Sequence, residues 1–104
     1  MSSVPAFVSE LIRAANHVRR LSPTETGRLL SRAIMTVRDL RDTIGIPVDG
    51  TDRDAINRLT LLVSTIEEAS QEEIRMGLLA SADMVRTLWI VVDSGTEIGL
   101  TPSA

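Results

Sequence analysis

The chain has 104 residues, no cysteine and a net charge of −3, and 43% of its residues are hydrophobic. That length carries one small domain, and without cysteine these residues offer no disulfide scaffold, cysteine-ligated zinc, iron–sulfur cluster or thiol nucleophile. Thirty-six side chains are large and apolar, so the chain is expected to fold, while a sequence pI near 5.0 speaks against binding nucleic acid through bulk charge.

Apolar residues recur at spacings of three and four through Val4, Phe7, Val8, Leu11, Ala14, Ala15, Val18 and Leu21. The pattern predicts a first helix with a broad buried stripe. Glu10, Arg13, His17 and Arg20 fall on its opposite, solvated face. Ser22-Pro23-Thr24-Glu25 then gives a cap, a proline at the first helical position and a glutamate placed to reach back to the cap N–H. A second helix starts there, with its stripe at Leu30, Ala33, Val37, Leu40 and Ile44, widened by Leu29 and Ile34. Gly45 is suited to closing it in a left-handed conformation, with Ile46 folding back on Leu40 and Pro47 preventing continuation.

After a linker from Ile46 to Gly50, Thr51-Asp52-Arg53-Asp54 repeats the capping logic, and Ile56, Leu59, Val63 and Ile66 supply the stripe of a third helix. Ser70-Gln71-Glu72-Glu73 is a further capping signal, and the heptad row slips there before resuming at Ile74, Leu78, Ser81, Val85, Leu88 and Val92. A turn near Ser70 therefore predicts an all-α, four-helix bundle. The alternative is a long-helix hairpin with one helix from about Asp52 to Asp93, roughly 63 Å long at ~1.5 Å per residue. Thr87–Val92 is read as the buried end of the last helix, stopped at Gly95, in preference to a hairpin pairing it with Thr96–Leu100. The expected organisation is one helical domain over residues 1–95 and a flexible C-terminal tail over 96–104.

The longest apolar run, Leu88 to Val92, is far shorter than the roughly 18 residues of a membrane span. Residues 1–12 lack a basic stretch and meet Glu10 early, unlike a secretory signal. The expectation is a cytoplasmic chain with no membrane partner. All eleven basic residues are arginine, as a GC-rich bacterial genome would give. They are unevenly placed: residues 11–38 hold six arginines against Glu25 alone, and residues 59–104 hold Arg75 and Arg86 against seven acids. One half of the chain can therefore dock on the other, within a chain or between two copies.

Candidate chemistry is sparse. His17 is the only histidine, and with Arg20 three residues later on a helix of a bundle it resembles the phosphoacceptor of histidine-phosphotransfer domains. The resemblance implies transient phosphorylation of His17 steadied by a cation. Leu21 stands where that family has glycine, and Ser22 is the one small residue before Pro23. Glu67, Glu68, Glu72, Glu73 and Asp83 on a helical region resemble the metal site of Mg²⁺-dependent all-α nucleotide pyrophosphatases. Their two-acid, two-gap, one-acid spacing is stretched here by one residue, and Ala80 stands where their second motif has an acid.

Asp49, Asp52 and Asp54 near Gly50 lack the ligand order of a calcium loop and read as turn and cap residues. The arginines flanking and on helix two suit an acidic protein surface better than DNA, since Arg38 is spaced to pair with Asp42 and Phe7 and Trp89 are the only aromatics. The sequence thus points to a non-enzymatic adaptor or regulator without a cofactor. It is expected to self-associate as a dimer and to bind an as yet unidentified protein through a basic face of Arg13, Arg20, Arg28 and Arg32.

Overall fold

A computed structural model describes the backbone of residues 3–45 and 50–100 and the side chains of residues 3–45 and 53–93. Among the described residues there are four helices and no strand, and the structure is 87% helical. The helices are α1 (Val4–Asn16), α2 (Pro23–Ile44), α3 (Gly50–Ser64) and α4 (Gln71–Leu100), with a 3₁₀ turn at Val18–Arg20. No helix among the described residues is long and apolar enough to cross a membrane.

The helix boundaries follow from local hydrogen bonds. Ser3 caps α1 by accepting from the Ala6 N–H at 3.1 Å. At Ser22 both halves of the capping box form: the Glu25 N–H donates to Ser22 Oγ at 3.1 Å and the Ser22 N–H donates to Glu25 Oε1 at 2.9 Å. Ser70 and Glu73 make the same reciprocal pair at 3.1 and 2.8 Å. That box divides α3 from α4 and so favours the bundle over the long-helix hairpin. Gly45 closes α2 with φ of 79°, its N–H donating to the Arg41 carbonyl at 2.8 Å. Ile46 and its contact with Leu40 lie outside the described residues, as does the cap position before Gly50.

Three helices differ from the expectation at a boundary: α3 starts at Gly50, so Thr51 lies inside it instead of capping it, and it ends at Ser64, which leaves Ile66 of its expected stripe in the following turn. The α1 helix ends at Asn16, so Val18 and Leu21 leave the α-helical stripe. The cause lies downstream, because a residue before proline is pushed towards extended backbone. Ser22 (ψ 159°) is accordingly extended, Leu21 (ψ 137°) is extended before it, and the 3₁₀ turn joins them to the end of α1. Val18 and Leu21 stay half-buried. At the other end, α4 passes through Gly95 and continues to Leu100, so 87–100 forms no hairpin. Glycine inside a helix costs only about 1 kcal/mol. Residues 101–104 lie outside the described residues.

The core runs along α4. Leu78, Ala82, Val85 and Leu88 meet Phe7, Leu11 and Ala15 of α1 and Leu30, Ala33 and Val37 of α2 in one buried cluster, to which α3 adds Ile56 and Leu59. Ser81 is fully buried and directs its hydroxyl to the Gly77 carbonyl at 2.8 Å. Gly77 itself sits so close to the Leu62 side chain that a β-carbon would overlap it, which lets α3 lie against α4. Because α1 and α2 each pack mainly on α4, a groove is left between them on the outside of the bundle.

Candidate functional site

The α1/α2 groove has a volume of about 620 Å³. Ala14 of α1 and Leu29 of α2, both buried, and the half-buried Leu21 give it an apolar floor. Its walls hold Arg13, His17 and Arg20 on one side and Arg28 and Arg32 on the other. All five site residues expected from the sequence therefore converge on one surface. The 3₁₀ turn contributes to this, since it carries Arg20 round into the groove after α1 has ended.

The two carboxylates of the groove are already engaged. Glu10 accepts from Arg32 Nη1 at 3.5 Å, and the Arg32 guanidinium also lies 4.4 Å from the centre of the Phe7 ring. Glu25 is held by Ser22: the backbone N–H of Ser22 and then its hydroxyl lower its pKa below the ordinary 4.5, burial opposes them, and the charge of Arg28 adds the least of the lowering effects. Arg13 and Arg20 have no ion-pair partner among the described residues, so the groove is left with surplus positive charge. Such a site favours carboxylates or phosphates on its occupant, with the guanidinium planes able to bond them in pairs.

No family model, curated protein or solved structure matches this chain. Its site is therefore read from geometry alone. His17 is exposed at the end of α1, where its backbone N–H donates to the carbonyls of Arg13 and Ala14 at 3.1 Å each. Its ring occupies the cap position of the helix instead of the middle of a helical face. The carboxylates of the second resemblance are spread out. Glu67 and Glu68 stand in the turn before α4, Glu72 pairs with Arg75 at 3.3 Å, Glu73 caps α4, and Asp83 lies further along it. No group of three acidic or histidine side chains able to hold a metal ion occurs among the described residues. Asp54 is exposed on α3, while the side chains of Asp49 and Asp52 fall outside the described residues.

The other arginines do not join the groove. Arg19 faces Arg75 across a separate cleft at the end of the bundle, and Arg38 is exposed without forming the expected pair with Asp42. A pair of exposed, flexible side chains gains little from meeting. Glu10 and Phe7, which fix Arg32, carry no signal of that role in the sequence. Their partner is more than twenty residues away, beyond any helical spacing rule.

Proposed function

We propose that this chain is a non-catalytic, cytoplasmic adaptor or regulator that self-associates and binds an acidic segment of a partner protein in the α1/α2 groove. The observation that supports this reading is the convergence of Arg13, Arg20, Arg28 and Arg32 on a groove whose own carboxylates are occupied by Arg32 and by the cap of α2. An apolar floor between charged walls suits an amphipathic peptide better than a bare polyanion, because part of its affinity then comes from burying apolar surface.

Fluorescence anisotropy tests it with a labelled helical peptide carrying glutamates at i, i+4 spacing and leucines on the adjoining face. Binding is expected to weaken as salt rises, to fall at least tenfold in Arg13→Glu/Arg28→Glu, and to vanish when the peptide's glutamates are replaced by lysines. Equal binding of the two peptides would remove the reading.

A second reading retains His17 as a phosphoacceptor, because its exposed ring lines the groove beside Arg13 and Arg20. It requires acid-labile phosphate on the chain when a histidine kinase is supplied, lost in His17→Ala. Wild-type protein that stays unlabelled would dismiss it.

A further inference from the structure

The outer face of α4 carries a row that the monomer leaves in solvent. Leu78, Ala82, Val85 and Leu88 turn inward, so Met76, Leu79, Asp83, Arg86, Ile90 and Asp93 follow one another along the opposite face at alternating steps of three and four. Met76 is 59% and Ile90 53% exposed and the three charged residues are exposed, while Leu79 is half-buried, its inner side packed against the core and the rest open to solvent. Asp83 and Arg86, spaced i,i+3, form no ion pair among the described residues.

The central four, Leu79, Asp83, Arg86 and Ile90, keep one order read in either direction: apolar, charged, oppositely charged, apolar. A two-fold axis beside residues 84 and 85, with the helices antiparallel, sets Leu79 of each copy against Ile90 of the other and Asp83 of each against Arg86 of the other. Every contact occurs twice, as an isologous interface requires. A parallel pairing in register would instead oppose Asp83 to Asp83 and Arg86 to Arg86. The exposed Ala80 and Thr87 beside the row are small enough for two helices to approach.

We infer that the partner covering this face is a second copy of the chain, docked antiparallel through Leu79–Ile90 of α4. This rests on the self-association in the proposed function and is independent of the groove.

The absence of native cysteine makes crosslinking a clean test. Leu79→Cys and Ile90→Cys proteins, each alone, should give no disulfide-linked dimer under mild oxidation, while their mixture should give one. In sedimentation equilibrium, Asp83→Arg or Arg86→Asp alone should weaken the dimer at least tenfold, and the double exchange should restore it to within threefold. Circular dichroism of each variant checks that the fold is kept. Self-crosslinking of Leu79→Cys would mean a parallel pair and overturn the inference. A wild-type dimer that neither crosslinks in the mixture nor responds to charge reversal would place the interface elsewhere and leave self-association standing. A wild-type monomer at 100 µM would remove self-association and this interface together.

Discussion

Arg32 separates from the other groove arginines on stability. Its guanidinium stacks over Phe7 at 4.4 Å and bonds Glu10 at 3.5 Å, tying α2 to α1 across the groove. The side chains of Arg32 and Glu10 are 47% and 49% exposed, so the ion pair belongs at the weak end of the range. An exposed cation–π contact contributes about 0.5–1 kcal/mol, and a half-exposed pair adds up to about 0.5 kcal/mol after solvent screening. Arg32→Ala should therefore cost about 1 kcal/mol, which for a domain of this size lowers Tm by roughly 4–8 °C. Arg13→Ala and Arg20→Ala, with no ion pair to lose, should stay within about 0.5 kcal/mol of wild type. Arg32→Lys keeps the charge and loses the planar stacking, so it should fall between the two. Thermal melts followed at 222 nm, all at one protein concentration, measure the series. If Arg13→Ala melts as low as Arg32→Ala, the division of the groove into a strap and a set of uncommitted cations is wrong.

The two glycines of α2 should respond with opposite signs to the same change. Gly27 lies inside the helix with nothing within 4 Å of where a β-carbon would stand, so Gly27→Ala should stabilise by about 0.5–1 kcal/mol, whereas Gly45→Ala must hold an L-residue at φ of 79° and should destabilise by about 1–2 kcal/mol in urea titration. Acid should weaken both capping boxes. Glu25 and Glu73 have pKa values below the ordinary 4.5, chiefly because the Ser22 and Ser70 backbone N–H groups bond the charged carboxylates. A depressed folded-state pKa means that stability is fully present above the unfolded value and is lost as pH falls through the folded one. Urea midpoints should therefore drop below about pH 4.5, with a shallower drop in Glu25→Gln/Glu73→Gln. An unchanged slope in the double variant would count against the boxes.

The parts of this fold that were legible in the sequence are those fixed by bonds three or four residues long. Ser22 with Glu25, and Ser70 with Glu73, announce their helices because cap and partner lie within one turn. Gly45 announces a stop because its αL backbone suits glycine. The end of α1 was hidden because spacings of three and four at Val18 and Leu21 suit a 3₁₀ turn as well as a further α-helical turn. Gly95 misled because a glycine only weakens a helix, and needs a local capping geometry or a proline to end it.

At the site, the identity of the arginines was readable as a local excess of charge, but their convergence was not. It depends on α1 and α2 both packing on α4, which begins more than twenty residues beyond the end of α2, and on Arg20 being swung inward by the 3₁₀ turn. Which arginine serves as a strap depends on Glu10 and Phe7, whose relation to Arg32 exists only once the helices are side by side.

The most direct measurement is a two-dimensional ¹⁵N NMR titration of the chain with the acidic amphipathic peptide at low salt. Binding in the groove should shift the amides of Arg13, His17, Arg20 and Arg28 and the Arg13, Arg20 and Arg28 side-chain N–H signals, with α3 unmoved and the shifts collapsing in 0.5 M salt. Shifts centred on α3, or no shifts at millimolar peptide in low salt, would contradict the assignment of this groove to an acidic protein partner.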